Sequence, residues 1–232
     1  MAGASDRVVR DGLVTVLALA SGAVDATSFL ALGQVFSSVM TGNLVLLGVA
    51  ASNHNPGQAI HAGVAIGAYA GGVLAGAPIA ARGGSSERGR IWPVAVTLTL
   101  ALELCLLVAF SIGWELSPAS HRGGARVALL ILLAAAMGLQ SAAVARLGKM
   151  SSTYMTGTLT GVLTALVTRG GEEGRWRDVT ALGCVAIGAL AAGLLISFAP
   201  AWLPAAVLAP QAAATGFAAI RFGRGSQLTP GR

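Results

Sequence analysis

The sequence predicts an all-α polytopic membrane protein, with about six transmembrane helices plus two short re-entrant or broken segments, laid out as two inverted internal repeats. Three observations predict it. Of 232 residues, 55% are hydrophobic and only 10% charged, against about 25% charged in a typical soluble domain, and the mean hydropathy is +0.75. The apolar residues fall in blocks too long for one buried core, and one polar motif occurs twice. Together these exclude a disordered chain, a collagen-like chain and a disulfide-stapled secreted scaffold.

The apolar blocks run approximately over 12–33, 36–52, 59–81, 91–113, 127–145, 151–168, 179–200 and 204–222. Polar or Gly/Pro-rich stretches separate them, among them NHNPGQ (53–58), RGGSSERGR (82–90), WELSPASHRGGAR (114–126) and RGGEEGRWRD (169–178). A spanning helix needs about 20 mostly apolar residues. The first block meets this length, contains Asp25 and is followed by no small-residue cleavage site, so it is expected to remain as a span. The third, fourth, fifth and seventh blocks meet or approach the length, and the eighth is read with them. The second and sixth are shorter and rich in Ser, Thr and Gly.

These two short blocks carry the repeated motif. LGQVFSSVMTGNL (32–44) lies over LGKMSSTYMTGTL (147–159) at a constant offset of 115, matching Leu32, Ser37, Met40, Thr41 and Gly42 with Leu147, Ser152, Met155, Thr156 and Gly157. The same register sets Asp25 opposite Gln140, and one residue later Gly67 and Gly72 fall opposite Gly183 and Gly188. The two halves are then 1–118 and 119–232.

Arginine placement chooses between two topologies. If all the blocks span and the N-terminus is inside, the 15 Lys and Arg divide ten inside to five outside. If the second and sixth blocks dip in and return to the same side, only Arg122 and Arg126 are outside and thirteen are inside. The positive-inside rule prefers the second arrangement. Each half then has three full spans, an odd number, so the halves point in opposite directions, the construction of many secondary transporters. Full spanning by kinked helices is the alternative.

The net charge of +6 and pI near 10.6 are explained by arginine at span ends, and no aromatic-rich segment offers to stack bases, so nucleic acid is not an expected partner. Cys105 and Cys184 lie within apolar blocks with no CxxC pattern and read as packing residues. The Ala, Gly and Arg content with a single Lys resembles a GC-rich bacterial genome.

Several residues are candidates for function. Asp25 sits mid-block, where a charged carboxylate costs about 2.5–3.5 kcal/mol on insertion scales, so it is expected to face protein or water. Ser21, Gly22 and Ser28 share its helical face. It is read either as a coupling or substrate-contacting group or as a carboxylate satisfied by hydroxyls and N–H groups. Gln140 is read as its uncharged counterpart or as a single interhelical hydrogen bond. Thr41, Gly42, Asn43, Thr156 and Gly157 are the best site candidates. Thr-Gly inside an apolar segment is where a helix breaks or begins, and a helix start at membrane depth offers free N–H groups. Glu103 is the second intramembrane acid, with Thr99 four residues before it. Gly63, Gly67 and Gly71 form a close-packing face, used internally or as a homodimer seam, and Gly72 and Gly76 form another. His54 and His61 offer two imidazoles without a third ligand, so no metal is expected. No nucleotide, zinc-protease or serine-hydrolase signature occurs, so neither an enzyme nor a cofactor is expected.

The segments SGAVDATSFLALGQVFSSVMTGNLVLLG and MGLQSAAVARLG followed by TYMTGTLT resemble the two signatures of the YoaK-like family, small bacterial inner-membrane proteins classed as a domain of unknown function. The family pattern has Asn after the glutamine where this chain has Ser141. The resemblance implies an integral membrane protein of about six spans and implies no substrate.

The leading expectation is a small secondary transporter or permease-like protein of the bacterial cytoplasmic membrane, with both termini cytoplasmic. An unknown small solute or ion would bind between the halves, and the lipid bilayer would be its surroundings. A non-transporting scaffold or interaction protein is the second. An intramembrane enzyme acting on lipid needs several carboxylates or a metal cluster, and the sequence offers neither.

Single cysteines at Asn55, Ser86, Ser120 and Gly171, in a chain lacking Cys105 and Cys184, test the topology. Labelling with impermeant reagent is expected to find Asn55 and Ser120 outside and Ser86 and Gly171 inside. Ser86 outside with the other three inside would mean that every block spans and would remove the inverted arrangement.

Overall fold

The computed structural model describes residues 2–82, 90–117, 123–148, 155–168 and 175–223. Among them are eight helices and no strand: α1 (Ala2–Ala31), α2 (Met40–Ser52), α3 (Pro56–Ala80), α4 (Val94–Leu116), α5 (Gly124–Arg146), α6 (Met155–Thr168), α7 (Arg175–Phe198) and α8 (Leu203–Gly223), with a 3₁₀ turn at Pro200–Trp202 before α8. Six are long and apolar enough to cross a membrane: α1, α3, α4, α5, α7 and α8. α2 has 13 residues and α6 has 14. At 1.5 Å per residue they reach about 20 Å, short of a hydrocarbon core of about 30 Å. Ser152 and Tyr154 of the second motif, with Lys149 and Arg122, lie outside the described residues.

Local chemistry sets several helix ends. Leu32 N–H still donates to Ser28 O at 3.0 Å, and then Gly33 takes φ +126°, a conformation that L side chains rarely adopt. A Cβ there would also fall 2.7 Å from the His61 ring, so glycine is required twice over. Asn55 caps α3 by accepting from Gln58 N–H at 3.1 Å, with Pro56 in the first turn. Pro93 fills the N-cap position of α4.

The direction of each helix follows from contacts at its ends. Asp11 pairs with Arg177 at 3.0 Å and Asp6 with Arg221, so α1 and α7 begin, and α8 ends, at one end of the bundle. Trp92, before α4, stacks on Phe222 of α8, and Leu147, after α5, packs against the cluster containing Leu13, Leu17 and Val96. α4 therefore starts and α5 ends at that same end. At the far end, Trp114 Nε1–H donates to Pro200 O at 3.4 Å. Gly33, Gln34, Asn55, His61 and Arg126 line one cavity of about 380 Å³ there.

The two short segments therefore do not cross. The chain leaves α1 at the far end, turns back into the bundle over 33–39, and α2 carries it out again to Asn55 at the far end. The stretch from the end of α5 to the start of α7 likewise leaves and rejoins the N-terminal end. Arg126 lies at the far end, whereas Arg10, Arg146, Arg177 and Arg221 lie at the other, the segregation that the arginine count requires.

The closest helix pairs are α1 with α7 and α3 with α5. Four glycines let these backbones touch. A Cβ on Gly22 would fall on the Val185 carbonyl, on Gly188 on the Leu19 carbonyl, on Gly72 on the Ala135 carbonyl, and on Gly138 on the Tyr69 carbonyl. Close packing within the chain thus falls to Gly72 (with Gly76 against Leu139 and Ala142) rather than to Gly63, Gly67 and Gly71. Those three are exposed on the outer face of α3, with nothing within 4 Å of an added Cβ. α3 is apolar on all sides, so its sequence does not show which glycine row faces inward.

These contacts predict opposite responses to the same substitution. Gly22→Ala and Gly188→Ala drive a methyl into a neighbouring carbonyl and should destabilise by about 1–3 kcal/mol. Gly63→Ala and Gly67→Ala meet open space and should be neutral or stabilise by up to about 1 kcal/mol through helix propensity. Thermal unfolding in detergent distinguishes the two pairs.

Candidate functional site

Two apolar clusters fill the bundle, one toward each end. The N-terminal cluster includes Leu17, Leu100, Ala143 and Ala214, and the far cluster includes Val24, Leu107, Met137 and Val207. The buried polar residues Ser21, Asp25, Thr99, Glu103, Gln140, Ser141, Gln211 and Thr215 lie on the same four helices, mostly between those clusters. A polar layer therefore crosses the middle of the bundle.

Asp25 anchors the re-entrant segment. Its Oδ1 accepts from Ser37 N–H and Ser38 N–H, each at 2.8 Å, and its Oδ2 from Ser38 Oγ–H at 2.5 Å. Its partners are thus supplied by the broken segment and not by the hydroxyls on its own helical face. Ser28 bonds to Val24 O and lies 2.6 Å from Ser37 Oγ, while Ser21 bonds to Leu17 O at 3.1 Å. Asn43, fully buried, closes the same segment from the other side. Its Oδ1 accepts from Phe36 N–H at 2.8 Å and its Nδ2 donates to Phe36 O at 2.6 Å. Asp25 and Asn43 thus serve backbone that no helix or sheet serves. A Cβ on Gly42 would fall 3.3 Å from the Phe36 ring.

Beside Asp25 is a cavity of about 120 Å³ lined by Ser21, Asp25, Ser38, Val39, Thr41, Met155, Thr156 and Val185, room for a few water molecules. The two Thr-Gly motifs meet here. Thr41 stands in the first turn of α2 and Thr156 in the first turn of α6, and both line the cavity. Helix starts carry backbone N–H groups without intrahelical partners and a partial positive charge. Both threonines, with Gly157, also line a larger cavity of about 850 Å³ that reaches Tyr69, Ser141 and Arg146. Its walls are mainly alanine and valine from α3 and α5.

Gln140 donates through Nε2 to Ser21 Oγ at 2.9 Å and to Leu17 O at 3.3 Å. It ties α5 to α1 beneath the cavity and is not among the cavity's lining residues. Glu103 lies elsewhere in the layer, on α4, where Gln211 of α8 donates to it at 2.6 Å. Sequence reasoning singled out neither Gln211 nor Thr215. Their signal is an amide and a hydroxyl four residues apart within an apolar block.

The chain matches, over residues 13–216, a family described as "Protein of unknown function (DUF1275)". The chain belongs to this DUF1275 family. A relative, the "UPF0700 transmembrane protein YoaK" of Bacillus subtilis (strain 168), is 36% identical over 157 residues, 66% of this chain and 66% of the relative. The chain thus spans just under two thirds of that relative's length. No solved structure matches the chain. The matched stretch of this DUF1275 member contains Asp25, Asn43, both Thr-Gly motifs, Glu103 and Gln140. The paired signatures therefore pointed to the right family.

The hydrogen bonds rank substitutions at position 25. Asp25→Ala strands two buried N–H groups, at about 1–3 kcal/mol each, and should lower the thermal midpoint strongly. In Asp25→Asn the side-chain oxygen still accepts from both N–H groups, and Ser38 Oγ can accept from the new amide. It should keep most of the stability. Equal loss in the two variants would show that the charge, rather than the acceptor pattern, holds the segment.

Proposed function

We propose that this chain is a small secondary transporter of permease type in the bacterial cytoplasmic membrane, with 1–118 and 119–232 as inverted halves and a central polar site between them. The observation that carries the reading is the meeting of Thr41 and Thr156 beside Asp25. Two short helices, leading out toward opposite ends of the bundle, start at the same cavity. Discontinuous helices that begin at the membrane midplane are a recurring way of building transporter sites, because their first turns offer polar backbone where the bilayer otherwise permits none.

The glycine contacts support the two-fold arrangement. Gly22 against Val185 and Gly138 against Tyr69 are the same contact with the halves exchanged, each residue moved by 116 positions. Gly72 against Ala135 and Gly188 against Leu19 are a second such pair. In this helical register Asp25 corresponds to Ser141 rather than to Gln140, one position from the register of the Thr-Gly motifs. Each half then supplies a different group at the equivalent place, a carboxylate in one and a hydroxyl in the other. The cavity's lining groups suit a small polar solute or ion. The chain acts without enzymatic chemistry in this reading, and its termini face the cytoplasm.

One observation favours a second reading, a membrane scaffold. The Gly63, Gly67 and Gly71 row faces outward and is free to form a homodimer seam. A scaffold has no need of the cavity at Asp25.

Alternating access separates the two readings. A single cysteine at Thr156, in a chain lacking Cys105 and Cys184, should react with impermeant thiol reagents added to either side of the membrane. Reaction from one side only, under every condition of ion and pH gradient, would remove the transporter reading.

A further inference from the structure

The cavity does not include the other buried acid. Glu103 and Gln211 are both 0% exposed and Thr215 is 6% exposed. Leu100 and Leu107 flank Glu103 along α4, and Val207 and Ala214 lie beside its partners on α8, all buried. Gln211 Nε2 donates to Glu103 Oε2 at 2.6 Å. Gln211 and Thr215 are four residues apart and share one face of α8, so Thr215 stands one turn from the pair. Thr99, one turn from Glu103 on α4, bonds back to Ala95 O at 2.9 Å.

Most of the cluster's bonding capacity is unused. Glu103 Oε1, Gln211 Oε1 and Thr215 Oγ1 are all buried without a hydrogen-bond partner. Among the described residues no Lys, Arg or His pairs with Glu103. The unmet atoms are all oxygens, and with Glu103 ionised the first two, in a carboxylate and an amide, can only accept. With the carboxylate ionised, acceptors exceed donors and call for an occupant that brings positive charge. An all-oxygen set suits a hard cation and not a zinc or copper ion. A single carboxylate balances one positive charge, whereas calcium takes six to eight oxygens and more acidic ligands.

We propose that Glu103, Gln211 and Thr215 form a site for a small hard monovalent cation, Na⁺, held between α4 and α8 apart from the Asp25 cavity. The carboxylate supplies charge, and the amide and hydroxyl oxygens replace part of the ion's water. The site joins two helices from different halves of the chain, so an ion bound there draws α4 and α8 together.

The test needs no transport and is made on the full chain in lipid nanodiscs. Equilibrium binding of ²²Na⁺ should saturate at about one ion per chain and be displaced by unlabelled Na⁺ but not by choline. Linkage then raises the thermal midpoint as NaCl replaces choline chloride at constant ionic strength. Glu103→Gln keeps the size and hydrogen bonding of the side chain, and Thr215→Val keeps its shape. Each should weaken Na⁺ binding by about tenfold or more and flatten the salt dependence. Glu115→Gln removes an exposed acid from the same helix and should leave both unchanged. Absence of saturable ²²Na⁺ binding by the wild-type chain would overturn the site, whether or not either variant folds. Binding unchanged in Glu103→Gln and Thr215→Val would overturn it too. Transport could fail with this site intact, or persist without it, so the two conclusions are judged separately.

Discussion

Backbone that leaves a helix at membrane depth must find hydrogen-bond partners without help from water. That constraint governs this molecule. Between Gly33 and the start of α2 the chain runs back into the bundle with no helix or sheet to serve its N–H and C=O groups. Asp25 receives the amides of Ser37 and Ser38, and Asn43 takes both backbone groups of Phe36. Without these two side chains the re-entrant segment would carry several unpaired polar groups in an apolar setting. With them, the break in the helix becomes a fixed feature, and the start of α2 is held beside the cavity.

The same bonds bear on the two readings of Asp25. A buried carboxyl with three donors is well satisfied, as the structural reading requires, and it also lines the cavity, as the proposed transporter reading requires. The two readings are compatible because the hydrogen bonds all come from Ser37 and Ser38, in the segment that the carboxyl holds. Any solute or ion that enters would meet a group already oriented by the fold, the pre-organisation on which binding sites depend.

Packing explains how a polar layer can persist across an apolar bundle. Water does not drive helices together inside a bilayer, so close contact must come from shape and from hydrogen bonds. Gly22, Gly72, Gly138 and Gly188 bring α1 onto α7 and α3 onto α5. Gln140 then reaches Ser21 on α1, and Gln211 reaches Glu103. Each buried amide bridges two helices, and apolar clusters on both sides seal the layer.

The sequence by itself determined the class, the six long spans and the two short segments, and arginine position favoured the return of those segments to the side they left, which the helix directions then decided. Block length and arginine position are properties of the chain's own order, and a bilayer imposes them directly. It also marked Asp25, Asn43 and the Thr-Gly pairs, because polar groups in apolar blocks are costly wherever they point. The tertiary structure decided which partners those groups have. Asp25 bonds to serines 12 and 13 residues on instead of to its helical neighbours, and Glu103 meets a glutamine 108 residues away. It also decided that Gly72 and Gly138 pack inward while Gly63, Gly67 and Gly71 face out. A helix that is apolar on every side carries no periodic signal of its inner face. Only assembly against the other helices selects one glycine row over another.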